Sequence, residues 1–188
     1  MRRVFVDTSG FFALYSGNDA DHAAAVDLFL DANSQRWELV TTNAVVVETH
    51  ALLLNRTRER RALAIKFLDD LESSELRIER VAEEDEQAAI ALLRAHQDKT
   101  YSLCDALSFV VCERLGISEA ISCDDDFRSY GRLTVLLWDR SAKPEQGGRL
   151  LGPATAVDRA ASRYSTTRRR AEGSGRFLTC PSRSTASR

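Results

Sequence analysis

The chain has 188 residues, 44% apolar and 29% charged, a profile that excludes a disordered polymer and leaves room for one domain with a real core. No apolar run approaches the roughly 18 residues that cross a bilayer, and Asp7 ends the first apolar stretch too early for a signal peptide, so the chain reads as cytoplasmic with no membrane partner. The net charge of -2 hides an asymmetry: residues 1–143 carry 17 Lys+Arg against 25 Asp+Glu, and residues 144–188 carry 9 against 3.

In chain order, Val4-Phe5-Val6 is a short apolar run that predicts a buried strand. Asp7-Thr8-Ser9-Gly10 follows with N-cap chemistry, and Phe11, Phe12 and Leu14 start a helix. Asp19 to Asn33 predicts a second helix with Ala23, Val26 and Leu30 inward. Leu39-Val40-Thr41 is a strand, and Thr42 or Asn43 caps a helix running to about Leu54. Residues 58–71 predict a helix with Ala62, Ile65, Leu68 and Leu71 on one stripe. Leu76 to Glu79 alternates like a strand, and Glu83 to Gln97 is a helix with an acidic first turn. Ser102 caps an apolar helix from Leu103 to about Leu115, which Gly116 stops. Glu119 to Ser122 is a strand, Cys123 to Tyr130 a turn with a short helix, and Leu133 to Leu137 the last strand. This alternation implies an α/β fold with a mainly parallel central sheet covered on both faces.

Beyond Trp138 the periodicity fades. Residues 143–188 read as a basic, Gly/Ser/Thr/Arg-rich tail, largely disordered. Arg168-Arg169-Arg170 offers charge to RNA phosphates, and the plainer reading is an incidental extension. Four cysteines (Cys104, Cys112, Cys123, Cys180) form no Cys-x-x-Cys pair, and the three histidines lie apart from them. That argues against a zinc site and for reduced cysteines.

Four acids stand where a core would exclude them. Asp7 and Asp124 follow predicted strands at the C-terminal edge, where open parallel sheets bind ligands. Glu48 and Asp105 interrupt apolar helices. Burying an unpaired carboxylate costs several kcal/mol, and Lys and Arg are scarce in these segments. A hard divalent cation, Mg²⁺ or Mn²⁺, answers that problem, because it takes oxygen ligands from carboxylates, water and phosphate. Each acid also has a plain alternative: Asp7 as an N-cap, Glu48 at an exposed helix edge, Asp105 in a helix first turn, Asp124 in a solvated acidic turn.

The chain resembles PIN-domain ribonucleases, in particular VapC-like toxins of bacterial toxin–antitoxin pairs. The resemblance spans Val4 to about Trp138. It is carried by Val-Asp-Thr-Ser (Val6 to Ser9), Val-Val-Glu-Thr (Val46 to Thr49), Ser-Leu-Cys-Asp-Ala (Ser102 to Ala106) and Ser-Cys-Asp-Asp-Asp-Phe (Ser122 to Phe127). It implies a three-layer α/β/α domain over residues 1–142 with about five short strands. It further implies that Asp7, Glu48, Asp105 and Asp124 are the catalytic, metal-holding residues. Thr8 would support the first acid through its hydroxyl or backbone. Ser122 replaces the family's usual threonine and keeps the hydroxyl. Asp126 reads either as a ligand through water or as a solvated acid, and Phe127 as core.

The implied activity is Mg²⁺- or Mn²⁺-dependent hydrolysis of RNA phosphodiesters, with a cognate antitoxin as partner and a homodimer as assembly. An acidic body that cleaves RNA needs bound cations or a basic rim to offset repulsion. The alternative is a catalytically silent PIN-like module that assembles with an antitoxin for operator regulation. A phosphatase with Asp7 as nucleophile needs a second Asp two residues on, and position 9 is Ser.

Overall fold

The computed structural model describes residues 1–137. The expected tail over 143–188 lies outside them. The described residues form five strands and seven helices. In chain order these are β1 (Arg3–Val6), α1 (Thr8–Tyr15), α2 (His22–Ser34), β2 (Glu38–Thr42), α3 (Asn43–Arg56), α4 (Arg61–Ser73), β3 (Arg77–Glu79), α5 (Glu83–Ala95), α6 (Leu103–Leu115), β4 (Glu119–Ile121), α7 (Asp125–Tyr130) and β5 (Thr134–Val135).

The strands make one sheet in the order β3-β2-β1-β4-β5. Every neighbouring pair is parallel. Val4, Phe5 and Val6 are fully buried, as expected for the central strand of a covered parallel sheet. The chain builds β2 and β3 on one side of β1 and β4 and β5 on the other. The β1/β4 seam is therefore the topological switch point, where a crevice opens beyond the strands' C-terminal ends.

Gly10 makes that seam possible. A Cβ there would lie 2.5 Å from the Ile121 carbonyl oxygen, so only glycine lets α1 rest on the end of β4. The Asp7 N–H donates to the same carbonyl at 3.1 Å. Below the seam, Phe127 on α7 stacks on Phe5 and meets Phe109 edge-on at 4.9 Å. All three rings are fully buried, each contributing roughly 1.5–3 kcal/mol.

Two predicted stripes differ from the structure. In α2 the buried residues are Ala25, Phe29 and Ala32, and Leu30 is 49% exposed. In α4 they are Ala64, Phe67, Asp70 and Leu71, and Ile65 is 41% exposed. The reason is aromatic packing: Phe29 and Phe67 both pack against Phe11, and a large ring outweighs an isoleucine or leucine in choosing the inward face. Asp70 is tolerated there because it accepts from the Tyr15 hydroxyl at 2.8 Å and from Lys66 at 2.6 Å.

Candidate active site

Three of the four predicted acids stand at helix starts or in a first turn, and Glu48 follows in the second turn of its helix. Asp7 joins β1 to α1 and caps that helix. Asp124 follows β4 and caps α7, its Oδ1 accepting from the Asp126 N–H at 2.8 Å. Asp105 sits at the third position of α6 in a reciprocal box with the cap Ser102. Its Oδ2 accepts from the Ser102 N–H at 2.7 Å, and the Asp105 N–H donates to the Ser102 hydroxyl at 3.1 Å. Glu48 lies in the second turn of α3, whose cap Thr42 accepts from the Val45 N–H. Helix starts suit negative charge, because unpaired N–H groups and the dipole face it.

Asp7 is the most deeply placed, at 3% exposure. Three hydrogens converge on its Oδ2: the Ser9 N–H at 3.1 Å, the Ser9 hydroxyl at 2.7 Å and the Ser122 hydroxyl at 3.1 Å. The Ser9 oxygen in turn accepts from the Cys123 N–H at 2.8 Å. The Ser122 oxygen accepts from the Asp124 N–H at 3.0 Å. Two hydroxyls thus tie the turn after β1 to the turn after β4. Ser122, which the motif offered as a supporting hydroxyl, donates to Asp7. Ser9 is a site residue that the sequence reading missed; its signal is its position two residues after an N-capping Asp.

Thr8 divides its work. Its backbone N–H favours the ionised Asp7, while its hydroxyl donates to Glu48 at 2.6 Å rather than to Asp7. Asp126 is half-buried and accepts from the exposed Thr100 hydroxyl. Phe127 is core, as expected.

Burial and neighbouring charge act on Asp7 and Asp105. Burial pushes Asp7 up to about 6, and the charge of Asp105 adds to the rise. Asp105 is raised by burial first, then by the charges of Asp124 and Glu48. Burial raises the Cys104 thiol too, helped by Glu48, Asp7 and Asp105 around it. No cation answers this repulsion, since none of the four forms an ion pair among the described residues. The ion pairs of the described residues take other acids, among them Arg2–Glu119, Arg77–Glu79, Arg114–Asp85, Arg132–Glu113 and, next to Asp124, Arg128–Asp125.

Among the described residues, no three His, Cys, Asp or Glu side chains stand ready-made as a ligand set. Each carboxylate is turned toward its own hydroxyl or N–H donors. The donor chemistry nonetheless fits a hard cation: oxygen throughout, mutually repelling and without a counter-ion. Among the described residues, no helix is long and apolar enough to cross a membrane.

Comparison with known proteins agrees with the fold. The family model for the PIN domain matches residues 4–133. The curated protein "23S rRNA-specific endonuclease VapC20" of Mycobacterium tuberculosis, from strains CDC 1551 / Oshkosh and H37Rv, is 36% identical over 132 residues, which is 70% of this chain and 97% of the relative. The crystal structure of M. tuberculosis VapC20, described as a sarcin–ricin loop cleaving toxin, superposes with TM-score 0.64 at 33% identity, covering 70% of this chain and 98% of that one. A toxin–antitoxin complex from Klebsiella pneumoniae matches with TM-score 0.51 at 13% identity, over 70% and 96% of the two chains, a likeness of fold.

Proposed function

The chain belongs to the PIN-domain family, and on that premise we propose that it is a Mg²⁺- or Mn²⁺-dependent endoribonuclease toxin whose active site is Asp7, Glu48, Asp105 and Asp124. The observation that carries this reading is the electrostatic group itself. Asp7 and Asp105 are buried and pushed upward, Asp7 also by the charge of Asp105 and Asp105 by those of Asp124 and Glu48, and no Lys or Arg forms a salt bridge with any of the four among the described residues.

Ser9 and Ser122 hold one carboxylate oxygen of Asp7, and Asp7 would hold the ion together with Glu48, Asp105 and Asp124. Thr8 fixes Glu48, and the caps of α6 and α7 fix Asp105 and Asp124. When bound, the divalent ion supplies charge to the scissile phosphate and acidifies the attacking water. Water adds to phosphorus as the bond to the leaving ribose oxygen breaks, giving a phosphate monoester and a free hydroxyl. The carboxylates keep the ion in place and accept hydrogen bonds from water. The relative's named target supports a structured ribosomal RNA loop as the substrate class, and the likeness to toxins supports a small antitoxin as the partner; a homodimer is the assembly proposed with them.

The experiment is cleavage of a synthetic RNA hairpin copying the sarcin–ricin loop. Asp7→Asn and Asp105→Asn should each abolish cleavage while leaving the melting temperature equal or higher. Cleavage retained by both variants overturns the assignment.

A further inference from the structure

The acids account for the cut, but an acidic body still has to hold a polyanion. The turn between α3 and α4 reads Arg56-Thr57-Arg58-Glu59-Arg60-Arg61, four arginines against one acid. All four arginines are exposed, and none forms an ion pair among the described residues. Elsewhere arginines such as Arg2, Arg77 and Arg114 are committed to carboxylates at 2.6–3.0 Å.

The turn is built rather than loose. Thr57 is buried, and its hydroxyl donates to the Leu53 carbonyl at 2.7 Å. The Ala62 and Ala64 N–H groups donate to the Glu59 and Arg60 carbonyls. Arg60 adopts φ +32, a left-handed value unusual for a residue with a side chain. The face of α3 that carries Glu48 continues through Leu52 and Asn55 to this turn. Arg56 lies eight residues beyond Glu48, about 12 Å along the helix axis.

We propose that this arginine turn is a second substrate-binding element, gripping the RNA phosphate backbone at the far end of the helix that carries Glu48. The inference rests on the nuclease reading. Guanidinium groups suit phosphate because their planar forks donate two parallel hydrogen bonds. A preformed turn also loses little freedom on binding. The net charge of residues 1–143, 17 basic against 25 acidic, repels RNA, so uncommitted cations at the end of the helix that carries Glu48 supply attraction that bulk charge denies.

The test uses the full chain carrying Asp7→Asn, so that RNA is bound and not cut, with the same hairpin as probe. Binding is followed by fluorescence anisotropy across salt concentrations. Adding Arg56→Gln, Arg58→Gln and Arg61→Gln should weaken binding roughly tenfold or more at moderate salt and make the log–log salt slope shallower by about 2, near 0.7 for each phosphate no longer neutralised. Removing three scattered charges instead, by Arg80→Gln, Arg94→Gln and Lys99→Gln, should leave the slope nearly unchanged. If the triple turn variant unfolds, Arg58→Gln alone should still reduce the slope by about 0.7.

Equal effects of the two triples, or an unchanged slope, overturn the proposal while the nuclease reading stands on its own cleavage test. Unchanged RNA binding together with weakened binding of an acidic antitoxin segment overturns it in favour of a protein-docking role. A wild-type chain that neither binds nor cuts RNA overturns both.

Discussion

The hydroxyls of Ser9 and Ser122 lie 3.0 Å apart and both donate to the same oxygen of Asp7. One residue comes from the turn after β1 and the other from the end of β4, so this pairing closes the site across the sheet's switch point. Ser122 is fully buried. Ser122→Ala should therefore leave the Asp124 N–H without its acceptor and remove a donor from Asp7. A loss of about 1–3 kcal/mol in urea unfolding is expected, with lower cleavage. Ser122→Thr keeps the hydroxyl and should restore most of both.

Gly10 is a packing requirement rather than a hinge. Gly10→Ala places a methyl group 2.5 Å from the Ile121 carbonyl oxygen. That oxygen is backbone and cannot swing aside, so α1 must move off β4. A destabilisation of about 1–3 kcal/mol is expected from the overpacking. Because Asp7 and Asp124 flank this close approach, cleavage should fall more than stability alone explains. Denaturant melts and initial rates on the same samples check this.

The pH dependence has a definite sign. Asp7 in the folded chain is pushed up to about 6 from an ordinary 3.8, by burial above all. The folded state thus holds the proton more tightly than the unfolded one. The contribution of Asp7 to metal-free stability is fully present below about pH 4 and is lost as the pH rises through 6, about 3 kcal/mol in all. Asp7→Asn should flatten that decline, and saturating Mn²⁺ should reverse it. Superimposable stability–pH curves for wild type and Asp7→Asn contradict the account.

Tyr15 provides a structural control away from the acids. Its hydroxyl donates to buried Asp70, which also takes Lys66. Tyr15→Phe leaves that carboxylate short of a donor and should reduce stability by about 1–3 kcal/mol. Cleavage per folded molecule should not change, because neither residue touches the site.

The fold is largely readable in the sequence because its signals are local. Ser102 and Gly116 bracket α6 by cap chemistry, with Gly116 at φ +64, and Val4 to Val6 announce a buried strand by composition alone. The inward faces of α2 and α4 are not readable. Helical spacing allows Ala62, Ile65 and Leu68 as readily as Ala64, Phe67 and Leu71, and the choice falls to Phe11, a partner distant in sequence. The acids stand out because a carboxylate in an apolar segment needs a reason. Ser9 and the Thr8–Glu48 bond do not, because small hydroxyls are ordinary at helix starts, and their partners lie 40 and more residues away. The arginine turn is plain in the sequence, but its lack of carboxylate partners appears only in three dimensions.

The most direct measurement of the central claim is cleavage of the hairpin RNA by the full chain in EDTA, followed by titration with Mg²⁺ or Mn²⁺. If the carboxylates act by holding a divalent ion, EDTA abolishes cleavage and either ion restores it saturably. Undiminished cleavage in EDTA contradicts that role for Asp7, Glu48, Asp105 and Asp124.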